Sequence, residues 1–330
     1  MRQPRFGIIK PCCIGDAVMA LPLVDNLQKA HPEAWIEVWC GNHSRPVFEI
    51  HTRIDAIVEI PNVPTVRDLP ALISSLRTSG NDGFFLLDRS RVLAAACRLA
   101  GITVMGTVRN TTDQLTHETD RYLGTLEQAG IEVDSRTPLL DNISVEGGCS
   151  TDLVRDLNGT YVTLHPGGAE NPGARMLSKR WPPEHWRATI EWLESRSIAS
   201  VLTGSAAERD LCLEIARNTE ARIAAGELSL IESAALAAGG LAYVGPDTGL
   251  SHLVAATGSP TIAIFGPTNP RQYGPRGAQV SILAAPGSYD VRDIDLRKHQ
   301  TGDQPGTREV PVESVLTALE SFINRPAVAR

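Results

Sequence analysis

The sequence predicts an α/β protein built as two doubly wound parallel-sheet domains, 1–150 and 151–330, and three observations carry the prediction. The chain has 330 residues, about twice the length of an ordinary single domain. Short apolar, β-branched runs alternate with helical stretches through both halves, the pattern of strand–helix–strand units and not of hairpins. Residues 131–158 break that rhythm with scattered charges, Pro138 and the pair Gly147-Gly148, which places the linker there and the boundary near 150. There is no tandem repeat or low-complexity segment. The halves are alike in architecture, not in sequence.

In the first half, 5–9 reads as a strand and 11–16 as a loop. Residues 17–30 form an amphipathic helix, with Ala17, Leu21, Val24 and Leu27 on one stripe. Strands follow at 35–40, 56–60, 83–87 and 102–106, and helices at 66–77, 89–100 and 118–129.

In the second half, 161–165 is a strand running into the turn Gly167-Gly168. A helix follows at 182–197, its prolines tolerated in the first turn. Residues 199–203 form a strand, and 206–218 and 229–238 form helices. The stretch 241–275 organises the rest: strand 241–245, tight loop, helix 249–257, strand 261–265. There Thr248 is placed to cap the helix. Asp247-Thr248-Gly249 sits where a strand's carboxyl end meets a helix's amino end, the place where open α/β sheets bind ligands and where free N–H groups favour an anion. Residues 280–284 read as a last strand, 288–307 carry no clear element, and 312–323 form a final helix.

Composition excludes several classes. A net charge of −7 argues against a nucleic-acid binder, which shows a basic surplus. The cysteines Cys12, Cys13, Cys40, Cys97, Cys149 and Cys212 make no CxxC pair, so reduced thiols in a cytoplasmic protein are expected and a zinc site is not. No signal peptide is seen, because Lys10 and Asp16 interrupt the apolar start. The uncharged run 248–270 is split by Gly249, His252, Gly258 and Pro260 and is not a membrane span. Peripheral membrane contact stays open.

Read on their own, the polar candidates each carry two meanings. Asp16 caps the first helix or presents a carboxylate to a substrate. Gly167 and Gly168 make a plain turn or offer backbone N–H groups to phosphate. Glu208 complements a helix start or binds a ligand, and His252 is a phosphate contact or a core histidine. Trp181 and Trp186 read as core. The first loop lacks GxGxxG and GxxxxGK[ST], which excludes dinucleotide and P-loop readings. No metal cluster is visible, and Asp293-Ile294-Asp295 fits a DxD pattern only in its letters.

The run PDTGLSHLVAATGSPTIAIFGPTNPRQYGP (246–275) resembles the nucleotide-sugar segment of the bacterial lipopolysaccharide heptosyltransferases. So does the opening: Ile8-Ile9-Lys10, a short loop, Gly15-Asp16, an apolar helix, Pro22. Lys179-Arg180-Trp181-Pro182 matches the family's Lys-x-Trp-Pro, and Glu208 follows Gly204 at the family's spacing. The resemblance implies a GT-B fold, two Rossmann-like domains facing a cleft, with the last helix able to pack back on the first domain. It implies an inverting, metal-independent glycosyltransferase with no cofactor. The donor would be ADP-heptose and the acceptor the lipopolysaccharide inner core. Asp16 would be the general base, and Lys179 would contact the diphosphate or sugar. Gly167 and Gly168 would contact phosphate, Glu208 the ribose, and backbone around Leu228 the base. Asp247 would bond sugar hydroxyls, and Thr248, Gly249 and His252 would hold phosphate. The chain departs from the pattern in the loop 169–178, which is longer than in many relatives, and across 285–310. Another nucleotide sugar, or binding without catalysis, remains the alternative.

Overall fold

The computed structural model describes residues 2–108, 115–140, 143, 149–168, 170–171, 174–291 and 306–325. The chain divides into two compact units, Met1–Leu139 and Leu140–Arg330.

The first unit runs β1 (Arg5–Ile9), α1 (Ile14–Ala30), β2 (Trp35–Cys40), α2 (Arg45–Glu49), β3 (Ala56–Glu59), α3 (Leu69–Thr78), β4 (Gly83–Leu86), α4 (Arg91–Ala100), β5 (Val104–Thr107) and α5 (Glu118–Gln128). Its strands lie in the order β3-β2-β1-β4-β5, all pairs parallel. Ile9, Trp39, Phe84 and Leu86 cluster with Leu72 and Leu76 of α3 and Leu93 and Ala96 of α4. The alternating residues Ile8, Val38 and Phe85 are also fully buried, so both faces of the sheet are covered, as parallel sheets require.

The second unit contains α6 (Cys149–Val154), β6 (Tyr161–Leu164), the short antiparallel pair β7 (Glu170–Asn171) and β8 (Ala174–Arg175), α7 (Pro183–Glu194), β9 (Ala199–Leu202), α8 (Arg209–Ile215) and β10 (Arg222–Ile223). It continues with α9 (Leu230–Gly239), β11 (Ala242–Pro246), α10 (Gly249–Ala256), β12 (Thr261–Phe265), α11 (Pro270–Tyr273), β13 (Val280–Ala284) and α12 (Val312–Ile323). The sheet order is β10-β9-β6-β11-β12-β13. Counted within the unit this is 3-2-1-4-5-6, the order of dinucleotide-binding sheets, and the first unit follows the same rule with five strands. The ligand crevice of such a sheet lies where the order reverses: between β1 and β4 in the first unit, and between β6 and β11 in the second.

Three expectations change. The units part at Leu139/Leu140 and not near 150, and Leu140 donates its N–H to Ala256 O at 2.9 Å within the second unit. The last helix, α12, packs on α7, β11, β12 and β13 of its own unit, where Val315, Leu319 and Phe322 join the core of Val162, Leu164 and Ile262. The stretch expected to be one helix from 206 is a 3-10 turn, Ala206–Glu208, followed by α8. The DxD letters at 293–295 and the linker glycines at 147–148 fall outside the described residues.

Candidate active site

In the first unit the loop after β1 lies at the reversal of strand order. Helix α1 begins at Ile14, with Cys13 at the N-cap position and no side-chain cap bond. Asp16 therefore sits inside the first turn and is not the capping residue. Its carboxylate has two partners instead. Lys10 Nζ lies 3.4 Å from Oδ2, and Tyr122 of α5 donates its hydroxyl to Oδ1 at 3.1 Å. The Lys10 ammonium also stands 5.7 Å from the centre of the Tyr122 ring. Lys10 is buried, while the Asp16 side chain keeps 28% of its surface exposed. Burial alone would lower the Lys10 pKa, but Asp16 and Asp88 beside it raise it overall, so the lysine stays charged. Burial, then the Asp16 charge, pushes the Tyr122 phenol well above its ordinary range, which keeps it a donor. The loop is pinned from the other side, where Pro11 O accepts from Gly41 N at 2.8 Å and Ser44 Oγ at 3.2 Å.

In the second unit, several loops meet at the carboxyl edge of the sheet. The loop after β6 carries Gly167 and Gly168. Gly168 has φ +84°, and a Cβ there would fall 2.3 Å from Thr248 Cγ2. A Cβ on Gly167 would fall 2.2 Å from the Glu208 carboxylate. Only glycine allows this loop to lie against both neighbours. Glu208 closes a capping box: its Oε2 accepts from Ser205 N at 2.7 Å and Ser205 Oγ at 2.9 Å. Its Oε1 accepts from Gly168 N, so that N–H, expected to face phosphate, is given to Glu208. Of the two meanings weighed for Glu208, the structure shows the helix-start carboxylate.

Lys179 and Asp247 form a second cluster. Lys179 Nζ donates to Asp247 Oδ2 at 2.7 Å, and Thr268, in the loop after β12, donates to the same oxygen at 2.7 Å. His252 Nε2 stands 3.9 Å from Asp247 Oδ1. Burial pushes the Asp247 carboxyl up, but the Lys179 ammonium and His252 outweigh it and hold the carboxyl well below the usual range. His252 is buried within this cluster. Thr248 occupies the N-cap position of α10 without a side-chain cap bond, contrary to the capping expected of it; its hydroxyl lies 3.4 Å from Ser251 Oγ. Ser251 in turn donates to Pro246 O at 2.6 Å. The Leu228 side chain, partly buried, packs onto the core of Val154, Tyr161, Val201, Ala224 and Leu236. Gly226 N donates to Gly204 O at 2.9 Å, holding that segment against the Ser205 turn.

Trp181 and Trp186 are core, as expected, with ring planes at 89° and centroids 5.1 Å apart. Four residues that the sequence did not single out belong to these clusters: Tyr122, Thr268, Arg180 and His165. Arg180 Nε donates to Gly168 O at 3.2 Å, and its guanidinium lies 3.9 Å from Glu208. His165 is buried with neither ring nitrogen hydrogen-bonded; burial is the largest cause of its lowered pKa, so the ring is neutral. Arg180 stood inside the quoted Lys-Arg-Trp-Pro and Thr268 inside Phe-Gly-Pro-Thr, so a signal for both was present. Tyr122 carried none, being 106 residues from Asp16. Among the described residues no group of three His, Cys, Asp or Glu side chains is placed to hold a metal ion. None of the described helices is long and apolar enough to cross a membrane.

Two Rossmann-like parallel sheets, each with a polar cluster where its strand order reverses, make up a GT-B fold. The comparisons agree. Residues 108–296 match glycosyltransferase family 9 (heptosyltransferase), and the chain belongs to that family. It is 25% identical to lipopolysaccharide heptosyltransferase 3 of Escherichia coli K12, over 95% of this chain and 96% of that one. With lipopolysaccharide heptosyltransferase 1 of Pseudomonas aeruginosa it shares 41% identity over 48% of each. Among solved structures it superposes on a family 9 glycosyl transferase from Veillonella parvula with a TM-score of 0.79, 19% identity and 98% of both chains covered. The E. coli ADP-heptose lipopolysaccharide heptosyltransferase II gives 0.73 at 20% identity, covering 97% of this chain and 98% of that one.

Proposed function

We propose that this glycosyltransferase moves a heptose from ADP-heptose to a Kdo or heptose hydroxyl of the lipopolysaccharide inner core, with inversion and without a metal or other cofactor. The observation that carries the reading is the Asp16 carboxylate, partly exposed and held by Lys10 and Tyr122 at the crevice of its sheet. Asp16 takes the proton of the acceptor hydroxyl as that oxygen attacks the anomeric carbon. The bond from that carbon to the diphosphate breaks in the same displacement, so the new linkage has the opposite anomeric configuration. Negative charge gathers on the departing ADP.

The second unit supplies what meets that charge. The N–H groups at the start of α10 face an anion, with Thr248 and Gly249 at the contact. Lys179 uses two of its three donors on Asp247, through the carboxylate and the backbone oxygen at 3.4 Å, and its third is available to phosphate. A cation already held in place costs little reorganisation when charge develops. Glu208 has three of about four lone-pair sites engaged, which leaves one for a ribose hydroxyl. Asp247, with Oδ1 the less engaged oxygen, receives a sugar hydroxyl, and His252 steadies it. The reaction is cytoplasmic, and a membrane-anchored acceptor brings the enzyme to the inner face of the membrane.

The test is a donor panel. Purified protein with a core-glycolipid acceptor should release ADP from ADP-heptose and not release nucleotide from UDP- or GDP-sugars, and the product's anomeric proton coupling should show inversion. Turnover should survive EDTA. Activity with a different nucleotide sugar alone would replace the donor, and loss on chelation restored by magnesium or manganese would overturn the metal-free mechanism.

A further inference from the structure

Cys12 and Cys13 occupy the loop between Lys10 and Asp16 and take no part in the mechanism above. Both are partly exposed, and their Sγ atoms are in contact at 2.6 Å. Cys40, Cys97 and Cys212 differ: all three are buried, and burial pushes their thiols up to about 12, 11 and 12. At Cys12 the hydrogen bond from Cys13 is the largest influence and, with the Lys10 ammonium nearby, outweighs burial and lowers the pKa. The Cys13 thiol is pushed up by the same bond and then by burial. One sulfur thus lies partly exposed beside a cation with its pKa lowered, and the next lies in contact with it. That is the arrangement of an attacking and a resolving cysteine.

We propose that Cys12 and Cys13 form a reversible dithiol–disulfide site that takes low-molecular-weight disulfides as its oxidant and, when oxidised, withdraws Asp16 from its working position. The Cys12 thiolate attacks one sulfur of the small disulfide, whose S–S bond breaks and releases one thiolate. Cys13 then gives up its proton and attacks Cys12 Sγ, expelling the second thiolate. The protein pair loses two electrons and the small disulfide gains them; one small thiol leaves with the Cys13 proton and the other thiolate takes its proton from solvent. Adjacent residues hold their Cα atoms closer than the about 4.4–6.8 Å that ordinary disulfides span, so the bond is easily reduced again.

The link to Asp16 is through the helix start. Cys13 is the N-cap residue of α1, and its carbonyl accepts the first helical bond, from Ala17 N at 2.9 Å. On its other side Pro11 is anchored to Gly41 and Ser44. The sulfurs, 2.6 Å apart, close to about 2.05 Å on oxidation, and between these fixed points that shift falls on Cys13, where the turn carrying Asp16 begins. Oxidation also removes the thiolate from beside Lys10, leaving that ammonium to Asp16 and Asp88.

The experiment treats the full chain with oxidised glutathione and follows intact mass, a peptide map and turnover with ADP-heptose. The wild type should lose two hydrogens, mapped to Cys12–Cys13. Turnover should fall about tenfold or more, the scale on which displacement of a reacting group acts, and dithiothreitol should restore it. Cys13→Ser should instead retain a glutathione adduct on Cys12, and Cys12→Ser should resist oxidation, both with untreated turnover near wild type. No mass change, or a lasting glutathione adduct on the wild type, overturns the site. A two-hydrogen loss with turnover unchanged overturns its control of catalysis. That control rests on the reading of Asp16 as the base, whereas the mass measurement does not, so the failure of either is seen separately.

Discussion

Lys179 and Asp247 lie 68 residues apart, yet they form one buried ion pair, with side chains 11% and 9% exposed. Removing one member of such a pair leaves the other charge buried and uncompensated, which costs about 3–5 kcal/mol. Asp247→Ala should destabilise the second unit by that amount at neutral pH in urea unfolding. The pH dependence has a definite sign. The folded carboxyl is held below its unfolded value: burial opposes this, and Lys179 with His252 more than offsets it. A depressed carboxylate contributes stability that is fully present above the unfolded pKa, about 3.9, and is lost as pH falls through the folded value. The gap between wild type and variant should therefore stay constant from pH 7 to about 5 and narrow only below about 4. A gap that persists unchanged into strong acid would show that the pair is not what Asp247 contributes. At this scale much could be read in the sequence, since Lys179 and Asp247 stood in quoted motifs. Their bond to each other could not, because no local pattern records which loops of a sheet edge meet. Tyr122 shows the same limit more sharply: α5 brings it to Asp16 only through tertiary packing.

Elements impose their own demands. Glu208 is at once the closing residue of a capping box and the acceptor for Gly168, so one side chain ties the 3-10 turn before α8 to the loop after β6. Glu208→Ala should weaken ADP binding by about 1.5–3 kcal/mol, the range for a hydrogen bond to a charged group, and should lower stability by about 1 kcal/mol through loss of the cap. Glu208→Gln can keep the box, but its NH2 cannot accept from Gly168 N, so its melting should fall between wild type and Glu208→Ala while ADP affinity still falls. Calorimetry finding wild-type affinity in both variants would reduce Glu208 to its structural duty. Gly168→Ala meets a different obstacle, a left-handed backbone and Thr248 Cγ2 at 2.3 Å. It should lower the melting temperature, at a cost of about 1–3 kcal/mol, and loosen Glu208 with it. Helix starts were the least legible feature of the chain. Residues 12–14 contain no capping side chain, so α1 was read from Ala17, although it begins at Ile14. The short elements α2, α11, β10 and the β7–β8 pair span too few residues to show a period.

At the scale of the whole molecule, alternating strands and helices announced two parallel sheets, and the strand orders place both candidate clusters where their sheets reverse. The boundary was misplaced because composition shifts after 140, whereas the change of unit is made by Leu140 bonding to Ala256. The final helix was misplaced because its apolar face, Val315, Leu319 and Phe322, does not say which core it covers. The proposed roles divide between the units: the carboxylate proposed as base and its partners belong to the first unit, and the groups proposed for the donor belong to the second. Asp16→Asn separates the two. The amide keeps the shape and can still accept from Tyr122, but it cannot take a proton. Folding should be near normal by thermal melt, and ADP affinity should be unchanged by titration. Turnover should fall by roughly 10²–10⁴, the usual worth of a general base. Asp16 is not the N-cap residue, but the buried Lys10 loses one of two carboxylate neighbours and keeps Asp88, so a modest loss of stability is expected and turnover is compared well below the variant's melting temperature. If instead the variant turned over at the wild-type rate, Asp16 would be a partner for Lys10 and nothing more, and the base would have to be sought among other groups along the edge of the first sheet.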